Sequence, residues 1–262
     1  MKEVIRSQLF QLFKNKSKLY VLIGLIAFGI IELIFAMGET QEGATASQCV
    51  RELLPMIIMF LPFFTGIAAG DIAAKDFDDK TVYYEIMSGR TRRQSYFGRV
   101  IVALIYSVIG SVLIMVIPIA VAAVFYGWGN DLTVGQAVLR MFLLLFPVIR
   151  LICAAFTLSI IIKKSVGGLI TGLICQYISL SIYADQGLLA EKDSLSLALT
   201  TMYRLLNIRS RYTYGLSDIK MRIIYDPTMH ISEIAGIIGV SMLFAAVYIL
   251  VGYVFFHKDD LN

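Results

Sequence analysis

Charged residues are scarce in this chain: 16% of its 262 residues are Asp, Glu, Lys or Arg, whereas 58% are hydrophobic. Soluble domains have about 25% charged and about 45–50% apolar residues. Histidine occurs only twice and cysteine three times, too few for a usual metal site or a disulfide framework. The motif G-x-x-x-x-G-K-[ST] is absent, which excludes a P-loop ATPase. The composition predicts a membrane protein and argues against an enzyme with its own cofactor.

Six apolar segments are long enough for a transmembrane helix, which needs about 20 apolar residues. We place them at Leu19–Met37, Leu53–Ala74, Val100–Tyr126, Met141–Ile162, Val166–Ala184 and Ile234–Phe256. Because lipid cannot satisfy backbone polar groups, we expect each segment to be helical. No A-x-A-like site follows the first span, so we expect it to stay attached. The predicted fold is all-α and polytopic, with residues 1–262 as a single transmembrane domain.

Lysine and arginine are concentrated on one side of these spans. They cluster before the first span, in residues 75–99 and at residues 163–164, whereas the short loops on the other side hold only Arg51 and Arg140. Cytoplasmic loops carry the excess of basic residues. Both termini are therefore predicted to be cytoplasmic, and the chain is expected to be a multi-pass protein of the cell membrane, the cytoplasmic membrane if the source is bacterial.

The first 18 residues have an amphipathic helical pattern. One face carries Val4, Ile5, Leu9, Leu12 and Phe13. Such a helix is expected to lie in the inner headgroup layer, with its apolar face in lipid and its lysines near anionic headgroups. It serves either as a simple anchor or as an interfacial helix with a further role.

Residues 75–99, which we call the elbow, form the only large loop predicted on the cytoplasmic side. Its apolar stripe has helical spacing and consists of Val82, Tyr83, Ile86 and Met87. Gly89 suits the left-handed residue that ends a helix, and Thr91 with Gln94 fits a capping box that starts the next one. We predict a helix, a tight turn and a second helix that continues into the third span.

The elbow resembles the loop after the second span of ABC-2 type permeases, the membrane subunits of ATP-binding-cassette transporters. The matching positions, in order, are Asp76, Asp78 and Asp79, Lys80-Thr81, Tyr84-Glu85-Ile86-Met87, Ser88-Gly89, Arg92-Arg93 and Gly98-Arg99. Lys80 and Gly89-Arg90 depart from the family, which usually has Gly and an Arg-Pro pair there. The resemblance implies a coupling helix that docks on the ATPase through Asp76, Asp79, Val82, Tyr83, Ile86, Met87, Arg92 and Arg93. For Arg92 and Arg93 the alternative is a topology signal next to anionic lipid.

The same resemblance implies partners and a direction of transport. Two separate ATP-binding subunits would carry ATP and Mg, and a second permease, identical or paralogous, would pair with this chain. The expected activity is export of a hydrophobic or amphipathic substrate such as a peptide, drug or lipid. Residues 185–233 would form re-entrant-type outer helices or a lid, and their basic and aromatic residues suit lipid headgroups better than nucleic acid. The alternative is a membrane-embedded sensor or immunity protein that binds its ligand without moving it.

Glu32 and Arg150 are ionisable residues that lie well inside the first and fourth predicted spans. Because an intramembrane charge is costly, we predict that they pair with each other, the alternative being contact with the substrate. Two small-xxx-small patterns, Gly66 to Gly70 and Gly168 to Gly172, allow close helix approach. They predict either a subunit interface or packing within one bundle.

Overall fold

The structure, a computed structural model, describes residues 2–14, 16–39, 45–78, 87, 89–130, 133–174 and 231–258. All regular structure in these ranges is helical, which confirms the all-α class. The helices are α1 (Lys2–Lys14), α2 (Lys16–Glu39), α3 (Ala46–Asp78), α4 (Arg92–Tyr126), α5 (Val134–Ile162), α6 (described over 166–174) and α7 (Ile231–Lys258).

Three of these helices are long and apolar enough to cross a membrane: α4, α5 and the part of α7 from Ile234 to Lys258. They match the third, fourth and sixth predicted spans. Helices α2 and α3 contain the first and second predicted spans, and α6 contains the start of the fifth. The rest of the fifth span and the outer segment as far as residue 230 lie outside the described residues. The total of six spans therefore stays a prediction.

Helix α4 runs without interruption from the elbow into the predicted third span, as expected from the sequence. Gly89 has a φ of +88°, which permits the turn ahead of the helix. Thr91 is the N-cap, and its side chain accepts a hydrogen bond from the backbone N–H of Gln94 at 3.3 Å. The 35 residues of α4 span about 50 Å, more than the roughly 30 Å of a hydrocarbon core. One continuous helix thus leads from the turn at Gly89 and Thr91 to Tyr126.

Helix α5 begins earlier than the predicted fourth span. Its N-cap Thr133 and Gln136 form a reciprocal capping box that was not foreseen, with hydrogen bonds of 3.3 and 3.1 Å. Arg140, assigned to a loop from its charge, lies inside α5 with only 5% of its surface exposed. Arg51 likewise lies inside α3. Both loop assignments were wrong because each helix begins ahead of its apolar core, in α5 behind the capping box of Thr133.

The helices form one bundle in which α3 packs against α4 and α5, and α5 packs along α7. Its largest buried apolar side chains include Leu61, Met115 and Leu143, each with 1% exposure or less. By contrast, Val124, Phe142 and Leu243 are more than half exposed. An apolar exterior around an apolar core is the pattern expected of helices surrounded by lipid.

The N-terminal segment is confirmed as a helix, α1. Its apolar face was predicted to lie in lipid, but part of that face packs on the protein. Val4 and Leu12 are buried, with 1% and 6% exposure, and α1 packs on α4. Val4 lies over Gly98, where a Cβ would come within 2.8 Å of a Val4 methyl carbon. Phe10 remains 66% exposed. Protein, rather than lipid alone, therefore covers the apolar face of α1.

The two small-xxx-small patterns pack against each other within the chain. A Cβ on Gly168 would meet the carbonyl oxygen of Gly66, and one on Gly172 would lie 2.6 Å from the carbonyl oxygen of Pro62. Gly70 faces the Cα of Gly168, since a Cβ on Gly70 would lie 2.9 Å from it. Of the two alternatives, packing of α3 on α6 within one bundle accounts for both patterns.

Candidate functional site

The elbow is described only in part. Asp79, Val82, Tyr83 and Ile86 lie outside the described residues, as does the side chain of Asp76, whose backbone belongs to α3. Met87 is described and is 83% exposed. Arg92 and Arg93 occupy the first turn of α4. The coupling role of these residues stays a prediction, and the described contacts show what the elbow is attached to.

The elbow is attached to α1 by an ion pair. A guanidinium nitrogen of Arg90 lies 3.6 Å from a carboxylate oxygen of Glu3, and the Glu3 side chain is 86% exposed. Exposed pairs of this kind contribute little to stability. The pair and the packing of Val4 on Gly98 nevertheless show where α1 lies, which is directly against the turn that starts α4.

A second attachment joins the elbow to the last helix. Nη1 of Arg92 donates a hydrogen bond to the carbonyl oxygen of His257 at 2.7 Å. His257 lies in the last turn of α7, where carbonyl groups have no partner within the helix. A cation at this end also interacts favourably with the helix dipole. The C-terminal end of α7 therefore lies at the same end of the bundle as the elbow and α1.

One turn further along α4, Tyr96 lies fully buried among aromatic rings. Ring centroids of four neighbours lie 5.3–5.7 Å from that of Tyr96, in edge-to-face or tilted arrangements. These neighbours are Phe97, Phe156, Tyr253 and Phe256. We call Tyr96 and these four residues the aromatic cluster. It joins α4, α5 and α7 through contacts that each add about 0.5–1.5 kcal/mol beyond their burial.

Two hydroxyl groups, one within the aromatic cluster and one beside it, donate hydrogen bonds to neighbouring carbonyl oxygens of α7. The Tyr96 hydroxyl donates to the carbonyl of Ile249 at 2.7 Å, and the Thr157 hydroxyl donates to that of Tyr248 at 2.8 Å. Gly252 permits this approach, because a Cβ there would lie 2.6 Å from the Tyr96 hydroxyl and 2.9 Å from the Thr157 hydroxyl. Since Tyr and Thr are common in such helices, no sequence pattern indicated this contact.

A partly buried ion pair joins the start of α2, just ahead of the first predicted span, to the second predicted span in α3. Nζ of Lys18 lies 2.7 Å from a carboxylate oxygen of Asp71, and the two side chains are 15% and 25% exposed. The Tyr106 hydroxyl donates to the carbonyl oxygen of Lys18 at 3.3 Å, which brings α4 to the same place. Sequence reasoning missed Asp71, although it is a third ionisable residue within the predicted spans, inside Leu53–Ala74.

The predicted pair between Glu32 and Arg150 is not tested. Arg150 lies partly buried in α5, and Glu32 belongs to α2, but the side chain of Glu32 lies outside what the structure describes. Within the described part of the chain, no group of three or more His, Cys, Asp or Glu residues could hold a metal ion. The described polar contacts at the elbow join helices to one another rather than framing a reaction site.

Comparison with known proteins agrees with this arrangement. The family model described as ABC-2 family transporter protein matches residues 3–261, nearly the whole chain. No curated protein and no solved structure matches it. The match covers both the long apolar helices and the elbow, and it identifies them as parts of the membrane component of a transporter. The chain belongs to the ABC-2 family, whose members are the permeases of ATP-binding-cassette transporters.

Proposed function

We propose that this chain is the permease subunit of an exporter in which separate ATP-binding subunits drive movement of the elbow. The observation that carries the proposal is the continuous helix α4, which begins at the capped turn of Gly89 and Thr91 and extends to Tyr126. The family match favours a transporter over the sensor or immunity protein that the sequence left open.

The docking surface we propose is the apolar stripe of the elbow, formed by Val82, Tyr83, Ile86 and Met87. Met87 is 83% exposed, so its side chain is available to a partner. Buried aromatic and aliphatic side chains supply most of the energy of a protein interface. The charges of Asp76, Asp79 and Arg93 would set register and exclude wrong partners rather than add affinity.

The proposed assembly contains two permeases, identical or paralogous, and two ATP-binding subunits that hold ATP and Mg. An apolar bundle with exposed Val124, Phe142 and Leu243 suits a hydrophobic or amphipathic cargo that enters from lipid. The same exterior suits direct contact with membrane lipids. The Glu32 and Arg150 pair is proposed to hold α2 to α5 within one permease.

Replacing Tyr83 and Ile86 together by Ala should weaken binding of the ATP-binding subunit by about 30-fold or more, because each is expected to be an interface anchor. The permease itself should insert and fold normally, since neither residue belongs to a predicted span. The measurement is the affinity of the purified ATP-binding subunit for the permease in nanodiscs, together with ATP-dependent transport.

Tyr20→Ala is the matched control, because Tyr20 is an aromatic residue of α2 that is 65% exposed and lies outside the elbow. It should leave affinity unchanged. Met87→Ala should weaken binding less than the double replacement, as a single anchor. If the Tyr83 and Ile86 variant binds and transports like the unchanged protein, the elbow is not the docking surface.

The proposed orientation gives a further expectation. A reporter fused after Asn262 should be cytoplasmic, because basic residues collect on the side that holds both termini. A cysteine at Gly215, in a background lacking the three native cysteines, should react with an impermeant maleimide in intact cells. Reaction only after lysis would contradict a six-span arrangement with residues 185–233 outside.

A further inference from the structure

Two hydrogen bonds of the elbow start from one face of α4 and end on the same partner, the C-terminal half of α7. Arg92 binds the carbonyl of His257 and Tyr96 binds that of Ile249, both at 2.7 Å. The two donors are one turn apart on α4, and the two acceptors are two turns apart on α7. Such a pair of contacts restrains both the position and the tilt of one helix relative to the other.

In these hydrogen bonds a side chain of α4 donates to a backbone carbonyl of α7, so each bond restrains the backbone of α7 directly. The carbonyls of Tyr248 and Ile249 lie in the interior of α7, so side-chain hydroxyls reach them in addition to the bonds of the helix. Only the missing Cβ of Gly252 makes room for the hydroxyls of Tyr96 and Thr157. A Tyr96 hydroxyl that lost this acceptor would lie buried among aromatic rings, where an unsatisfied polar group is costly.

We infer that Arg92 and Tyr96 are positioning residues that attach the elbow end of α4 to the C-terminal half of α7, so that α7 sets the orientation in which the elbow meets the ATP-binding subunit. The inference rests on the proposed function and assigns Arg92 a role different from docking: its guanidinium holds α7. Thr157 supports the same contact from α5 by holding the neighbouring carbonyl.

The first test uses the permease alone and needs no substrate. Spin labels are placed at Gln94 on α4 and Lys258 on α7, both exposed, after removal of the native cysteines. In the unchanged protein the distance distribution should be narrow. Combining Tyr96→Phe with Arg92→Met removes one hydroxyl and one guanidinium while keeping the ring, and should widen the distribution about twofold. An unchanged width would overturn the attachment.

Ser111→Ala is the matched control for the loss of a hydroxyl. Ser111 is also buried in α4, but its hydroxyl donates to the carbonyl of Ser107 within the same helix, at 2.7 Å. It should leave the label distances unchanged. A general softening of α4 would widen the distribution in this variant as well, which would also overturn the specific role of Tyr96 and Arg92.

The second test separates positioning from docking. With the permease in nanodiscs, we would measure the affinity of the ATP-binding subunit and the change in ATP turnover that the permease causes. Tyr96→Phe and Arg92→Met should leave the affinity within about twofold of that of the unchanged protein. The effect of the permease on ATP turnover should differ about three- to tenfold, the range for residues that carry coupling. Arg92→Lys, which keeps a cationic donor, should restore most of the effect.

The outcomes distinguish this inference from the proposed function. A loss of affinity that matches the loss of turnover would mean that Arg92 contacts the ATP-binding subunit itself, which overturns the positioning role. Normal binding with unchanged turnover would overturn the positioning role alone. An ATP-binding subunit that fails to bind the unchanged permease would contradict the proposed function and the positioning role together.

Discussion

Gly168→Ala is expected to lower the unfolding temperature of the permease by about 6–10 °C, which corresponds to about 3 kcal/mol for a chain of this size. A Cβ at Gly168 would meet the carbonyl oxygen of Gly66 and lie 2.7 Å from the Cα and 2.9 Å from the nitrogen of Gly70. All three are backbone atoms, so no side chain can rotate away. The added methyl group must therefore push α6 away from α3 along their shared line of contact.

The control for this change is Gly24→Ala. Gly24 also lies within a helix that contains a predicted span, α2, but a Cβ there would find nothing within 4 Å. Alanine should be tolerated or slightly stabilising at Gly24, because it favours the helix more than glycine does. Both variants are compared by thermal unfolding in detergent and by the fraction of monodisperse protein. Equal unfolding temperatures for Gly168→Ala and the unchanged protein would contradict the close crossing of α3 and α6.

Asp71→Leu is the second change with a large expected effect. It removes the partner of Lys18, whose Nζ lies 2.7 Å from the Asp71 carboxylate and whose side chain is 15% exposed. An ammonium group left without its partner in a mostly apolar surrounding destabilises the folded state. Because a quarter of the Asp71 side chain is exposed, we expect a loss of about 1–3 kcal/mol rather than the full cost of a fully buried pair.

Exchange of the two charges tests whether the pair itself is responsible. Lys18→Asp combined with Asp71→Lys should regain at least half of the stability that either single change loses, because the attraction is restored with its sign pattern reversed. Lys164→Leu is the control for the loss of a cation, since Lys164 is exposed in the turn between α5 and α6. Its effect should be small. If the exchanged protein is as unstable as the sum of the single variants, the two residues do not stabilise each other.

The sequence by itself determined the helical class, the positions of the long apolar helices α4, α5 and α7, and the turn at Gly89. These are local properties. Length, apolar content and a capping residue such as Thr91 act within a few turns of one helix, so they can be recognised along the chain without knowledge of any neighbour. The resemblance to the ABC-2 permeases was visible for the same reason, because the elbow is one continuous segment.

One helix nevertheless begins earlier than its hydropathy predicts, because a capping box precedes its apolar part. The sequence predicted the fourth span from Met141, whereas α5 begins at Val134, behind the capping box of Thr133 and Gln136. Hydropathy identifies the part of a helix that suits lipid, and the helix continues beyond it for as long as its backbone groups find partners. Arg140 was therefore misplaced, although the Thr-x-x-Gln pattern that would have corrected it is present in the sequence.

Only the tertiary structure decided which helices meet. The small-xxx-small patterns predicted a close approach but could not name its partner, and Lys18 and Asp71 are far apart in sequence although their charges touch. Likewise, the apolar face of α1 lies on α4, and Arg92 and Tyr96 bind carbonyl groups of α7. The depth and rotation of each helix are set by its neighbours rather than by its own residues, so a contact between two helices cannot be deduced from either one alone.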